Sequence, residues 1–309
     1  MSRYAPYAES LGRIPVEDHE VSLLGSSTRY WVYGPQDAEV TIVIVHGYRG
    51  DHHGLEPVIA QLPGIRWISP DLPGFGASAP LTGAAHDVAG YAAWFRAFSD
   101  ALGLTGTAVV LGHSFGTIVV AQALTSGLPT PALILINPIS SSGLEGPNRF
   151  GTFVTVAFYR LAAKLPNRVG AWLLRRWIIV QFMSSALAKT RDRRLRRWIH
   201  EEHHRYFNGF ATRDSVVEGF EASISTDVSR FAADITVPTL LVAAELDDIT
   251  PVRAHYALAE LMPDARLTMI PGVGHLVHYE VPQLAAEAIE GFLVERGLLH
   301  GTAGESQNR

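Results

Sequence analysis

The chain has 309 residues, 47% hydrophobic and 18% charged, so it can bury a large core and does not read as disordered. It has no cysteine, which excludes disulfides, thiolate metal sites and a cysteine nucleophile. The net charge of −5 is uneven: residues 139–232 hold 15 Lys and Arg against 8 Asp and Glu, a local +7, and the rest carries −12; a basic insert in an acidic chain, with no accompanying motif, does not indicate nucleic-acid binding.

At the start, Met1 to Ser10 shows no apolar core of a secretory signal. No later run approaches the roughly 18 uninterrupted apolar residues of a membrane span. A cytoplasmic location is the expectation. Val21–Leu24 and Thr28–Val32 read as two short strands meeting around Gly25-Ser26-Ser27. Thr41–Val45 is a continuous β-branched run, as in a strand buried on both faces. Leu55–Leu62 reads as a short helix and Arg66–Ser69 as a strand. Ala85–Leu102 is an amphipathic helix stopped by Gly103. Thr107–Leu111 is a strand, Phe115–Leu124 a helix and Ala132–Ile136 a strand. From about Ser140 to Phe231 the pattern is helical and irregular. The alternation resumes with a strand at Thr239–Ala243, a helix over Val252–Leu261, a strand at Arg266–Ile270 and a helix over Gln283–Glu295. The class is therefore α/β, a mostly parallel sheet with helices on both faces. Residues 1–139 and 232–300 form the expected core, 140–231 a helical cap, and 301–309 a tail.

Gly112-His113-Ser114-Phe115-Gly116 carries the strongest chemical signal, because it joins a strand to a helix. A serine on a sharp strand-to-helix turn needs small neighbours two residues away on each side. The following helix then aims its N-terminus at the hydroxyl. A serine hydroxyl is a weak nucleophile and needs a base. Of the 13 histidines, His275 follows the last strand on the loop Pro271-Gly272-Val273-Gly274, which can swing an imidazole over the sheet edge. His278, beside Tyr279-Glu280, is its near rival. The base needs a carboxylate to set its tautomer. Glu245, Asp247 and Asp248 all follow the strand Thr239–Ala243. Asp247 is the choice; Asp248 or Glu245 could instead cap the helix after Pro251. Asn137, after the preceding strand, is not acidic. Oxyanion donors are expected from the backbone N–H groups of Phe115 and of Tyr48, the latter in His46-Gly47-Tyr48-Arg49-Gly50. His46 reads as a hydrogen-bonded support.

Other signals are weighed against this set. His200-Glu201-Glu202-His203-His204 matches the zinc spacing H-E-x-x-H but reads as a solvated helix face. Asp51-His52-His53 reads as a surface loop near the oxyanion donors. Arg191 to Arg197 reads as a solvated face that could attract an anionic substrate or membrane surface. Trp172, Leu173, Leu174, Trp177, Ile178, Ile179 and Phe182 are expected to pack the cap on the sheet, some lining an apolar pocket.

His46-Gly47-Tyr48, Asp71-Leu72-Pro73-Gly74-Phe75-Gly76-Ala77-Ser78, the glycine-flanked Ser114, Asp247 four before Pro251, and Gly274-His275 together resemble the α/β-hydrolase family with an inserted helical cap. The resemblance covers roughly residues 20–296, apart from the cap. It implies an eight-stranded sheet with an antiparallel second strand, a pocket between sheet and cap, and a structural role for Asp71 to Ser78. Serine at 114 argues against dehalogenases and epoxide hydrolases of this fold, which carry aspartate there. Gly47-Tyr48-Arg49-Gly50 departs from the stretch usual in proline iminopeptidases. The expected function is hydrolysis of a carboxylic ester or related acyl bond through an acyl-enzyme, on a small molecule with an apolar portion, with no cofactor or metal. The alternatives are a carbon–carbon bond hydrolase of a vinylogous diketone and a non-catalytic small-molecule sensor.

Overall fold

The computed structural model describes residues 4–141 and 149–300; the expected tail over 301–309 lies outside them. The first half runs α1 (Ala8–Leu11), β1 (Val16–Leu23), β2 (Ser26–Tyr33), β3 (Thr41–Val45), α2 (Glu56–Ile59), β4 (Arg66–Pro70), α3 (Val88–Ala101), β5 (Val109–His113), α4 (Phe115–Thr125) and β6 (Leu133–Ile136). Five helices follow: α5 (Arg149–Lys164), α6 (Asn167–Leu174), α7 (Trp177–Leu187), α8 (Arg193–Tyr206) and α9 (Arg213–Ser225). The chain closes with β7 (Thr239–Ala244), α10 (Val252–Leu261), β8 (Ala265–Ile270), α11 (Val277–Glu280) and α12 (Pro282–Glu295).

The eight strands form one sheet in the order β1-β2-β4-β3-β5-β6-β7-β8. β2 is antiparallel to β1 and β4, and every later pair is parallel. The unbroken apolar runs are explained by alternation. Val43, Val45, Val110, Leu133 and Leu135 point into one core layer, with Tyr91, Trp94 and Phe98 of α3 and Ile118 and Val119 of α4. Ile42, Ile44, Val109, Leu111, Ile134 and Ile136 point into the other, against Val58 and Ile59 of α2 and Ile289 and Phe292 of α12. Each such buried side chain contributes about 1.5–3 kcal/mol, so both layers favour the same register.

The first hairpin is longer than its sequence suggests. β1 pairs with β2 from Val16↔Tyr33 to Leu23↔Ser26. Its turn is Leu24-Gly25, with φ of 47° and 76°, positive at both positions as a tight hairpin requires. Glu17, Asp18, His19 and Glu20 hide this strand in the sequence, because β1 is an edge strand with little buried surface. The expected helix over Leu55–Leu62 is shorter, a 3-10 turn (His52–Leu55) leading into α2. The fifth strand lies two residues later than expected and runs up to the serine. The irregular stretch after β6 resolves through its caps. Asp192 accepts the N–H groups of Arg194 and Leu195 (2.7 and 3.3 Å) to start α8, and Thr212 accepts that of Ser215 (3.0 Å) to start α9.

Candidate active site

β5 ends at His113 and the chain reverses at Ser114, which has φ 52° and ψ −119°, outside the regions L-residues prefer. The two glycines permit this. A Cβ on Gly116 would lie 2.0 Å from the Val45 carbonyl oxygen, and one on Gly112 would lie 2.8 Å from that of Gly116. Helix α4 thus rests directly on the backbone of β3 and β5. The Ser114 N–H donates to the Ile136 carbonyl (3.1 Å) and fastens the turn to β6.

His275 arrives from the loop after β8. Its Nε2 lies 2.8 Å from Ser114 Oγ and its Nδ1 2.8 Å from Asp247 Oδ2. A carboxylate only accepts, so Nδ1 carries the proton and Nε2 accepts from the serine hydroxyl. The Asp247 side chain is fully buried. Its Oδ1 accepts the N–H groups of Ile249 (2.8 Å) and Thr250 (3.3 Å), and Asn137 Nδ2 donates to Oδ2 at 3.3 Å. Burial raises the Asp247 pKa, but the adjacent His275 and the Ile249 N–H outweigh it and hold the carboxyl below its ordinary value.

The rivals are placed elsewhere. Asp248 is half-exposed and pairs with Lys189. Glu245 accepts the Gly272 N–H at 2.9 Å. Neither caps α10, contrary to the expectation, because that helix starts from Pro251 with no side-chain cap. His278 is buried against His113, with ring centres 4.1 Å apart, and burial pushes both well below the ordinary histidine range. Asn137, not an acid, gives no sequence sign of a place in the site; its amide meets Asp247 across 110 residues of sequence, which no local pattern reports.

The loop after β3 reaches the same point. A Cβ on Gly47 would lie 3.1 Å from Ser114 Cβ, closer than an ordinary contact, so this backbone passes tightly against the serine. His46 steadies the loop: the Leu72 N–H donates to its Nε2 (2.8 Å), leaving Nδ1 to donate to the Gly47 carbonyl (2.8 Å). Phe115 is the first residue of α4, so its N–H has no partner within the helix. The Tyr48 hydroxyl donates to Val216 of α9 (2.8 Å).

Arg49 carries no sequence signal as a site residue, yet it is 1% exposed and has φ 60°. Its guanidinium donates to the carbonyls of Phe207 (3.1 Å) and Leu174 (3.0 Å), to Asn208 Oδ1 (3.2 Å) and to the Tyr159 hydroxyl (3.2 Å). The loop after β3 is thereby pinned to α5, to α6 and to the residues that follow α8. On the opposite side, the Lys189 N–H donates to Glu280 (2.7 Å) while its ammonium meets Asp248.

Asp51 and His52 are buried, which corrects the surface-loop reading. Asp71 holds His52: its Oδ1 accepts the His52 N–H (2.7 Å) and Nδ1–H (2.9 Å), and its Oδ2 accepts the Ala77 N–H (2.8 Å). Asp51, His52 and His53 are the one group among the described residues close enough to hold a metal ion, although His53 Nδ1 already donates to Asp51 (3.1 Å). The His200–His204 face is not simply solvated. His200 Nδ1 lies 2.6 Å from Ser184 Oγ and His204 Nε2 2.8 Å from Gln181 Oε1, so both rings are spent on α7. The expected packing of the apolar insert residues holds for Leu174. It fails for Trp172, Trp177 and Ile178, which are 58%, 63% and 65% exposed, while Phe182, 66% exposed, lines the apolar cavity beside Ser114 as expected of some of these residues.

Ser114 and His275 open onto a cavity of about 310 Å³, walled by apolar residues such as Ile139, Met183, Leu187, Phe220 and Ile224. No helix among the described residues is long and apolar enough to cross a membrane.

The model of the Alpha/beta hydrolase family matches residues 42–288. Similar proteins include a pimeloyl-[acyl-carrier protein] methyl ester esterase of Aeromonas hydrophila, 26% identical over 82% of this chain and 94% of its own length. A 2-hydroxy-6-oxononadienedioate/2-hydroxy-6-oxononatrienedioate hydrolase of Dechloromonas aromatica is 23% identical over 78% and 82%. Among solved structures, a thermophilic esterase from Thermogutta terrifontis superposes with a TM-score of 0.70 at 22% identity, covering 91% of this chain and 99% of its own. The chain belongs to the alpha/beta hydrolase family.

Proposed function

We propose that the protein is a serine hydrolase that cleaves a carboxylic ester or related acyl bond of a small molecule. The observation that carries this reading is the unbroken chain Ser114 Oγ, His275, Asp247, with 2.8 Å at each link. Ser114 attacks the acyl carbon as His275 Nε2 takes its proton. The tetrahedral oxyanion accepts from the Tyr48 and Phe115 N–H groups, each contributing about 10²–10³ in rate. His275⁺, held by Asp247, returns its proton to the leaving alcohol and frees it. Water then repeats the sequence on the acyl-enzyme and restores Ser114.

The apolar wall of the cavity supports an apolar acyl or alcohol portion. Residues 140–231 act as a cap over this cavity and the remainder up to 300 as the core. In support, Thr155, Phe182 and Met183 line the cavity, and Arg49 and Lys189 tie the two parts together. The relatives named above include an ester-cleaving enzyme, which fits this chemistry.

The test is a panel of carboxylic esters of graded acyl length with product counted per enzyme molecule. Many turnovers on at least one ester are expected. A single slow turnover leaving a stable adduct would replace this reading with that of a sensor.

A further inference from the structure

The helices between β6 and β7 leave an uncovered apolar surface. Of the sixteen large hydrophobic side chains exposed among the described residues, eight lie in the thirty residues from Phe153 to Phe182. They recur at helical spacing. Val154 and Leu161 are seven apart on α5, Val169 and Trp172 three apart on α6, and Ile178 and Phe182 four apart on α7. Each pair therefore shares one face of its helix. The same helices also bury apolar residues on the other side, Tyr159 and Ala162 on α5, Leu174 on α6 and Val180 on α7. A helix apolar on both sides has a second apolar surroundings to meet.

Positive charge predominates around this surface, although Asp192 at the start of α8 is exposed as well. From Arg149 to Arg191 there are eight Lys and Arg and no Asp or Glu. Arg160, Lys164, Arg168 and Arg176 are exposed there, and Arg193, Arg194, Arg196 and Arg197 are exposed on α8. The Arg176 guanidinium lies over the Trp172 ring, 4.6 Å from its centre. The uncovered stripe of α7 also reaches the reaction cavity, because Phe182 and Ala186 line it.

We propose that this face docks on an anionic phospholipid surface, with the cavity opening towards the lipid. Aromatic and aliphatic side chains entering the headgroup region, among cations attracted to anionic lipid, supply both terms of interfacial binding. A second copy of this chain would bring like charges together. A protein partner would ask for rim charges of both signs in comparable number and for directional polar contacts, and this face offers mainly cations and apolar side chains. Docking needs no turnover, so it stands apart from the acyl-hydrolase reading.

The test is co-flotation of the full chain with vesicles of phosphatidylcholine alone and of phosphatidylcholine mixed with phosphatidylglycerol, at low and high salt. Binding to the anionic vesicles should exceed that to the neutral ones by about ten-fold or more and weaken with salt. Trp172→Ser with Ile178→Ser should lower it by about ten-fold. Neither residue lines the cavity, so cleavage of a short soluble ester should be unchanged and reports an intact fold. Arg160→Glu with Arg168→Glu should weaken the anionic preference alone. Four results would overturn the proposal: no binding to anionic vesicles, equal binding to both vesicle types, binding unaffected by the Trp172/Ile178 change, or binding of an acidic carrier protein through this face without vesicle binding. A concentration-dependent dimer abolished by the same change would assign the face to self-association and overturn it too.

Discussion

Asp247→Asn separates orientation of the base from everything else in the site. Asp247 Oδ1 holds two backbone N–H groups, so the new amide keeps its oxygen there and turns its nitrogen towards His275 and Asn137. Asn137 can accommodate this, because its Oδ1 is buried without a partner and a flip of the amide makes it an acceptor. His275 must then shed its Nδ1 proton and carry it on Nε2, where it no longer accepts from Ser114. The equivalent change in serine proteases lowers turnover about 10⁴-fold, or about 5.5 kcal/mol of transition-state stabilisation. Asp248→Asn removes a half-exposed ion pair with Lys189, whose contribution is about 0–1 kcal/mol, so its loss is a few-fold at most. The assay is steady-state hydrolysis of one ester by both variants, with melting curves to confirm folding. Turnover should collapse in Asp247→Asn while KM changes little. If Asp248→Asn were crippled and Asp247→Asn active, the reasoning about the acid would be wrong.

Three further outcomes are expected. Gly116→Ala places a Cβ 2.0 Å from the Val45 carbonyl and should cost more than about 3 kcal/mol of stability or prevent folding; a soluble, fully active variant would contradict the packing of α4. Arg49→Met strands the Phe207 and Leu174 carbonyls and should cost about 2–4 kcal/mol in urea unfolding, whereas an unchanged midpoint would show the latch to be idle. His46, His113, His203, His255 and His278 are buried and lowered by desolvation, His203 to about 3 and His255 to about 4. The unfolded chain therefore binds protons near pH 6.5 that the native protein refuses, so the stability these rings contribute is full above that pH and is lost below it, by about 1.4 kcal/mol per pH unit each for His203 and His255. Calorimetry from pH 8 to 5 should show Tm dropping below pH 6.5, and a flat Tm would refute the burial of these rings.

The central strands and the turn that presents the candidate Ser114 were legible because their causes are local. The run Thr41–Val45 is apolar on both faces because both faces are covered, and the glycines around Ser114 are imposed by backbone within a few ångströms. β1 was half-hidden because an edge strand with exposed Glu17, Asp18 and Glu20 has no core face to mark it. Arg49 was missed since its four partners lie 110–159 residues away, and a single arginine after a glycine carries no trace of them. Trp172 and Trp177 of the insert were misplaced for a different reason. Periodicity tells which residues share a helix face, not whether anything covers that face.

The most direct test of the account is labelling with a serine-directed phosphonate followed by peptide mapping. One adduct is expected, on Ser114, and Ser114→Ala should abolish both labelling and ester turnover while leaving the melting temperature close to that of the unaltered protein. An adduct on another serine such as Ser78, whose hydroxyl donates to the Asp71 carbonyl at 2.8 Å, or undiminished turnover by Ser114→Ala, would contradict the assignment of the nucleophile.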